Sequence, residues 1–192
     1  YINTLAGHRP ADLTVSQQQA FWVNLYNALT VRLILDNPEA SSIRQIKDGV
    51  FSIGPWDRDA VEIEGIALTL NDIEHRILRP LYGDPRVHFA VNCASLGCPN
   101  LQPVPFTATN LEALYDAGAR EFINHRRGVS IEGGRLTISS IFKWFKEDFG
   151  NSKDARLHWI ANYTDNNLAQ QLRSWQGRVH YDYDWGLNAS GD

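Results

Sequence analysis

The stretch 16–35 constrains the fold of this chain most, because a helix built from it has no face to turn toward solvent. Ser16 and Gln19 have the spacing of a capping box and Asn37-Pro38 is a stop signal, so we predict a helix over 16–35. At about 100° per residue its apolar side chains point in every direction; they are Phe21, Trp22, Val23, Leu25, Leu29, Val31, Leu33 and Ile34. A helix that is apolar all round is buried, so this should be the central helix of the fold.

Two amides interrupt this apolar helix. Asn24 and Asn27 lie about 60° apart around the helix axis, so they share one stripe of a buried surface. Buried amide groups are almost always hydrogen-bonded, so both side chains must find partners elsewhere in the fold.

The rest of the chain mixes short helices and strands without a regular alternation, which favours an α+β fold. We expect the buried central helix to pack on a small, mainly antiparallel sheet. The predicted elements are hairpins at 61–68 and 129–138, strands at 86–92 and 179–185, and helices at 71–81, 111–125, 139–145, 155–163 and 167–175. No repeat or linker divides the 192 residues, so we predict a single domain over 1–192.

The charge balance argues against whole classes of partner. The chain carries 18 basic and 22 acidic side chains, a net charge of -4, which gives no electrostatic footprint for nucleic acid. No apolar run approaches the ~18 residues that a transmembrane segment needs. The chain starts at Tyr1 and contains no methionine, so we expect an upstream segment. A signal peptide there would make the protein periplasmic or secreted; the sequence otherwise leaves compartment and partner proteins open.

The stretch RVHFAVNCASLGCP (86–99) places a histidine, an asparagine and a cysteine close together, with Cys98 following Cys93. Cys93 has four interpretations: a nucleophile, half of a Cys93–Cys98 disulfide, a metal ligand, or a buried thiol. The usual C-x2-C spacing of a zinc site is missing, so we predict no metal and no other cofactor.

The predicted helix 71–81 supplies the best partners for Cys93. Glu74 projects from the apolar face of that helix, where a carboxylate is costly unless it is paired or protonated, and His75 lies at the edge of the face. The alternative role for Glu74 is a capping pair with Asn71.

A cysteine nucleophile needs a base within hydrogen-bond reach and a third group that orients the base. His88 precedes Cys93 by about 16 Å in an extended strand, whereas His75 comes from a separate element. We therefore predict Cys93 as nucleophile, His75 as base and Glu74 as the orienting carboxylate. The supporting residues around them are His88, Asn24 and Asn27. His88 is the alternative base, and Asn24 or Asn27 is the alternative orienting group.

Five blocks of the sequence resemble the domain of unknown function 547 family. They are AFWVNLYNALTVRLIL (20–35), LTLNDIEHRILRP (68–80), HFAVNCASLGCPNL (88–101), SSIFKWFKEDFG (139–150) and YDWGLN (183–188). The residues at the family's pattern positions are Asn24, Asn27, Glu74, His75, Arg79, His88 and Cys93. The resemblance implies a papain-like or transglutaminase-like cysteine fold. In those folds the nucleophilic cysteine begins the central helix and the histidine follows it. Because His75 precedes Cys93 here, the chain has either a circularly permuted form of that fold or a different fold.

Two functions follow from these residues. One is a cysteine-dependent hydrolase or acyl transferase that acts on an amide- or peptide-type bond of a peptide or small amide substrate. The alternative is a non-catalytic protein-interaction module, in which the polar residues form a buried network and Cys93 is a structural thiol or is paired with Cys98. A cleft that exposes Cys93 beside a histidine favours the enzyme, and a sealed network favours the module.

Overall fold

The computed structural model describes residues 1–47 and 54–188, and its order of helices and strands is that of an α+β protein. The helices are α1 (Ile2–Ala6), α2 (Val15–Leu35), α3 (Arg79–Tyr82), α4 (Leu111–Asn124), α5 (Ile141–Trp144), α6 (Lys146–Phe149), α7 (Lys153–Ala161) and α8 (Asn166–Arg173). The strands are β1 (Asp59–Ile63), β2 (Ile66–Thr69), β3 (Val129–Glu132), β4 (Arg135–Ser139) and β5 (Val179–Asp182). A π-helix covers Asp72–Leu78, and 3₁₀ turns cover Pro10–Asp12, Ile43–Gln45 and Pro85–Phe89. Within the described ranges, no helix is both long and apolar enough to cross a membrane.

The central helix α2 is buried, as its sequence predicts. Val23 and Leu25 have no exposed surface, and neighbours from α1, the π-helix and α4 pack around the helix. Its capping box lies two residues earlier than predicted. Thr14 Oγ1 accepts from the Gln17 amide at 3.4 Å, and the Gln17 side chain accepts from the Thr14 amide at 2.9 Å.

The buried side chains form two clusters, and α4 contributes to both. The first cluster surrounds α2 and takes in the antiparallel hairpin β1–β2. The second lies between α4, α7, α8 and the three-stranded sheet, whose order is β3-β4-β5. In that sheet β3 and β4 are antiparallel, joined through Gly133-Gly134, whereas β5 runs parallel to β4.

The chain after β5 is tied to the loop that carries the two cysteines. The Leu96 amide donates to the Gly186 carbonyl at 2.8 Å, and the Gly97 amide donates to the Asp184 carbonyl at 2.9 Å. Gly97 permits this approach, since a Cβ there would lie 2.8 Å from the Asp184 nitrogen. The short parallel strand β5 therefore delivers the C-terminal residues to the neighbourhood of Cys93.

The predicted strand 86–92 is wrong. The chain there forms the 3₁₀ turn Pro85–Phe89, which starts with the Asp84 side chain accepting from the Arg86 amide at 2.9 Å. Val87, His88 and Phe89 are all buried, so the alternation of apolar and polar residues does not mark two faces of a strand. Asp84-Pro85 is instead a helical start signal, because proline suits the first turn of a helix.

The predicted helix 71–81 exists, but most of it is the π-helix Asp72–Leu78, continued by α3. The predicted Asn71–Glu74 capping pair is wrong, because the Asn71 side chain donates to Asp57 Oδ1 at 2.6 Å. The Arg79 amide donates to the Glu74 carbonyl, the wide spacing that a π-helix produces. Single π turns often occur at functional sites, and this one carries Glu74 and His75.

Candidate functional site

A cavity of about 180 Å³ lies between the cysteine loop, the π-helix and the chain after β5. Its walls include Cys93, Cys98, Glu74, His75 and His88, so residues far apart in sequence meet there. The structure brings the predicted nucleophile, base and carboxylate to one cavity. The contacts among them differ from those predicted.

Cys93 lies half-buried at the wall of the cavity and is a free thiol. Its Sγ atom is 3.0 Å from Cys98 Sγ, 2.9 Å from Tyr183 Oη and 3.7 Å from Ser95 Oγ. Hydrogen bonds from the Cys98 thiol, the Tyr183 hydroxyl and both Ser95 donors outweigh burial and lower the pKa of Cys93 to about 7. A thiolate is the nucleophilic form of cysteine, so this environment favours reactivity near neutral pH.

The backbone beside Cys93 is held in an uncommon conformation. Ala94 has φ 60°, in the left-handed region that side chains other than glycine rarely adopt. The Asn92 side chain stabilises this turn, because it accepts from the Ala94 amide at 2.7 Å and donates to the Pro99 carbonyl at 2.6 Å. The sharp turn aims the amide and hydroxyl of Ser95 at the Cys93 sulfur.

The two amides of α2 both find backbone partners. Asn27 donates to the Ala90 carbonyl and accepts from the Asn92 amide, each at 2.8 Å. Asn24 makes the same pair of bonds with Phe106, at 2.8 and 2.9 Å. Asn27 therefore anchors the segment that leads into Cys93, whereas Asn24 anchors a loop beyond it.

Glu74 pairs with His88, not with His75. Glu74 Oε1 lies 3.6 Å from His88 Nδ1, and Glu74 Oε2 accepts from the Tyr26 hydroxyl at 3.0 Å. The other ring nitrogen of His88 is 2.6 Å from Asp148 Oδ2. Burial alone would lower the pKa of His88, but the hydrogen bonds with Asp148 and Glu74 outweigh it and raise that pKa.

Arg79 extends this network to His75. Its guanidinium binds both Asp148 oxygens, at 2.7 and 3.1 Å, and its Nη1 lies 3.2 Å from His75 Nδ1. A guanidinium can only donate, so Nδ1 accepts and Nε2 carries the proton of the neutral ring. Burial is the main cause that lowers the pKa of His75, so the ring is neutral at pH 7.

No hydrogen bond joins Cys93 to either histidine among the contacts of the described residues. Both His75 and His88 line the same cavity as Cys93, and Phe145 contacts both rings, with centroid separations of 5.7 and 4.1 Å. The predicted contact between His75 and Glu74 is likewise replaced by the His75–Arg79 and Glu74–His88 pairs.

Aromatic side chains form the rest of the cavity wall. Trp144, Tyr183 and Trp185 pack on one another with centroid separations between 4.7 and 5.4 Å, and Trp56 meets Trp185 at 5.9 Å. Trp144 remains 45% exposed. We call Trp56, Trp144, Tyr183 and Trp185 the aromatic rim.

Sequence reasoning missed several residues of this site, among them Tyr26, Ser95, Asp148 and Tyr183. Asp148 and Tyr183 reach it from the C-terminal third of the chain, and no local spacing links them to Cys93. The one signal for them is that each lies in a stretch that resembles the family, SSIFKWFKEDFG (139–150) for Asp148 and YDWGLN (183–188) for Tyr183. No group of three or more His, Cys, Asp or Glu side chains that could hold a metal ion occurs in the part of the chain that the structure describes.

Comparison with known proteins identifies one relationship. The model of a family described as "Protein of unknown function, DUF547" matches residues 10–123, which is more than half of the chain. That segment contains the predicted nucleophile, base, carboxylate and supporting residues. No curated protein and no solved structure matches the chain.

Proposed function

Because this chain belongs to the DUF547 family, whose description assigns no activity, we propose its function from the geometry of the site. Cys93 is the nucleophile of a thiol-dependent hydrolase or acyl transferase, and the electrophile is the carbonyl carbon of an amide- or peptide-type bond. The substrate occupies the cavity against the aromatic rim.

The observation that carries this proposal is the position of the Cys93 thiol. Its sulfur lies at the wall of a cavity, within hydrogen-bond distance of the Cys98 thiol, the Tyr183 hydroxyl and Ser95 Oγ, each of which can donate to a thiolate. A structural thiol sits instead in apolar surroundings, which raise the pKa and make it inert. The lowered pKa of about 7 agrees with this geometry.

In the proposed reaction the Cys93 thiolate attacks the carbonyl carbon. A C–S bond forms while the carbonyl π pair moves to oxygen, and collapse of this intermediate breaks the bond to the leaving group. The leaving group takes a proton from water, and the acyl group stays on Cys93 as a thioester. Water or an acceptor nucleophile then attacks the thioester and gives its proton to the hydroxide that the first step left. The C–S bond breaks and the thiolate is restored.

We assign His75 the role of hydrogen-bond donor to the carbonyl oxygen of the substrate. The neutral ring with its proton on Nε2 is a hydrogen-bond donor in the cavity, and such a donor stabilises the charge that develops on oxygen. The role of general base expected from the sequence requires the other tautomer, in which His75 gives up its bond from Arg79. Glu74 acts through His88 and is a positioning residue.

The composition of the aromatic rim supports an apolar or aromatic acyl group as the preferred part of the substrate. Such a group gains both burial and ring contacts against Trp144 and Trp185. The small cavity volume, about 180 Å³, suits a single side chain of this kind.

The test is the pH dependence of Cys93 alkylation in the folded protein. A variant Cys98→Ser leaves one thiol and keeps a hydroxyl donor beside it, so the labelling reports Cys93 alone. We expect the rate to reach half its maximum below the ordinary thiol pKa of about 8.5, because Tyr183, Ser95 and the new hydroxyl can still donate to the thiolate. Incubation with an aryl-acyl ester should then add the acyl group to Cys93, as seen by intact-protein mass spectrometry, and Cys93→Ser should take up none.

The interaction module is the second candidate, because one observation favours it. The Glu74–His88–Asp148–Arg79 network satisfies its own members, and neither histidine bonds the Cys93 sulfur. If Cys93 labels only after unfolding, the thiol is structural; if it labels but no ester acylates it, Cys93 is not an acyl-transfer nucleophile. Either result makes the module the better interpretation.

A further inference from the structure

The two cysteines form a close pair of unequal exposure. Their sulfurs lie 3.0 Å apart, and the Cys93 amide donates to Cys98 Sγ at 2.9 Å. Cys93 is half-buried at the cavity, whereas Cys98 is only 3% exposed. Both cysteines line the cavity, but Cys93 is the more exposed of the two, so a small molecule that enters the cavity meets Cys93 first.

We propose that Cys93 and Cys98 are a reversible oxidation site that reacts with low-molecular-weight disulfides and closes as an intramolecular Cys93–Cys98 disulfide. The cavity admits the small disulfide to Cys93, and Cys98 resolves the intermediate.

Two exchange steps balance the chemistry. The Cys93 thiolate attacks one sulfur of the small disulfide; a new S–S bond forms, the original one breaks, and the first small thiolate leaves and takes a proton from water. Cys98 then loses its proton to water and attacks the Cys93 sulfur, which expels the second small thiolate. The two protein thiols are oxidised, and the small disulfide is reduced to two thiols.

The loop between the cysteines is built to keep the sulfurs together. The Cys98 amide donates to the Ser95 carbonyl at 3.0 Å, which closes the turn. Bonds from Leu96 and Gly97 to the chain after β5 hold the outer side of the loop. A loop fixed at this many points places Cys98 beside Cys93 before any oxidant arrives, so resolution needs little rearrangement.

The two thiols also differ in acidity, and the difference makes Cys93 the first of the two to react. Burial raises the pKa of Cys98, while the hydrogen bonds at Cys93 lower its pKa to about 7. Cys93 is thus the attacking sulfur, and Cys98 stays protonated until a mixed disulfide forms beside it. Other reactive dithiols show the same asymmetry: one cysteine attacks the oxidant first, and the second resolves the mixed disulfide.

Closure of the disulfide consumes the Cys93 nucleophile, and this consequence rests on the proposed function. The oxidised protein would neither accept an acyl group nor label with an alkylating agent. Reduction by a small thiol restores both properties.

The test uses the full chain equilibrated with mixtures of oxidised and reduced glutathione, quenched with acid and then alkylated in denaturant. We expect two labelled thiols in the reduced protein. In the oxidised protein we expect none, and a mass lower by two hydrogen atoms with no glutathione attached. The Cys98→Ser variant should instead accumulate one glutathione on Cys93, and Cys93→Ser should take up none.

A native protein that keeps both thiols free at high oxidised glutathione overturns the proposal. So does a native protein that accumulates the mixed disulfide without closing. The readout is a mass and does not depend on catalysis, so a protein that fails to acylate can still confirm the dithiol. A protein that acylates but never forms the disulfide refutes the dithiol alone.

Discussion

The Tyr183 hydroxyl lies 2.9 Å from the Cys93 sulfur, although 90 positions of sequence separate the two residues. Tyr183 follows the short parallel strand β5, which carries the chain back to the cysteine loop. The contact joins the C-terminal segment, outside the matched family region, to the candidate nucleophile inside it. Burial and the neighbouring cysteines raise the pKa of Tyr183, so it stays a hydrogen-bond donor throughout the working pH range.

Removing this donor should make Cys93 less acidic. A hydrogen bond to a charged group contributes about 1.5 kcal/mol or more, and one pKa unit corresponds to about 1.4 kcal/mol. We compare Tyr183→Phe with its parent, both in the Cys98→Ser background. The pH at which Cys93 alkylation is half-maximal should rise by roughly one unit. Tyr181→Phe, on β5 but directed at Arg156, is the matched control and should leave the profile in place. An unchanged profile in Tyr183→Phe would show that the thiolate owes its stability to other groups.

The two amides of α2 provide a matched pair of variants. Each side chain makes two hydrogen bonds to backbone groups, and an alanine makes neither. Asn24→Ala and Asn27→Ala should therefore both lower the free energy of unfolding by about 2 kcal/mol, measured in urea. Only Asn27→Ala should change the alkylation rate of Cys93, because Asn27 anchors the segment before it. Equal effects on Cys93 labelling would contradict a specific positioning role for Asn27.

Because the imidazole of His88 is buried between two carboxylates, we expect the protein to become less stable at alkaline pH. The pKa of His88 is raised above its ordinary 6.5, so its charged pairs with Asp148 and Glu74 contribute fully below that value. The contribution is lost as the pH rises through the pKa of the folded protein. The carboxyl of Asp148 has a lowered pKa, so its own contribution persists down to strongly acidic pH.

We therefore expect the Tm of the wild-type protein to fall between about pH 6 and about pH 9, and His88→Gln to lose most of this fall. At about pH 6 the variant should be less stable by roughly 3 kcal/mol, because Glu74 and Asp148 lose the buried cation between them, although Tyr26 and Arg79 still bond them. The exposed His158→Gln is the control, and it should keep the wild-type dependence. A wild-type Tm that is flat over this range would mean that His88 is neutral in the folded protein.

Shortening a side chain of the aromatic rim should weaken substrate binding without unfolding the protein. Trp144 is 45% exposed, so Trp144→Ala should cost little stability. Loss of one aromatic contact of about 1.4 kcal/mol corresponds to a roughly tenfold rise in KM for aryl-acyl esters, with little change in kcat. Leu35→Ala, which removes an exposed apolar side chain at the end of α2, should leave KM unchanged. A fall limited to kcat, with KM unchanged, would place Trp144 in the chemical step instead.

Local patterns in the sequence predict several elements because each pattern reports the environment of its own residues. The all-round apolar stretch 16–35 predicts the burial of α2, and Glu64-Gly65 and Gly133-Gly134 predict the two hairpin turns. The interpretation of 86–92 as a strand fails because its pattern, too, reports only the environment of its own residues. Alternation marks a strand only when one face meets solvent, and both faces of this segment are buried.

The side chains that could carry chemistry are readable from the residue order: the Cys93 thiol, two imidazoles, a carboxylate on an apolar face and two amides that need partners. Which of these groups meet depends on how the folded elements pack. Glu74 pairs with His88, Arg79 holds His75, and Asp148 and Tyr183 arrive from distant segments. Such pairings are set by the packing of elements that are remote in sequence, and the short-range periodicities that identify each element carry no information about its neighbours.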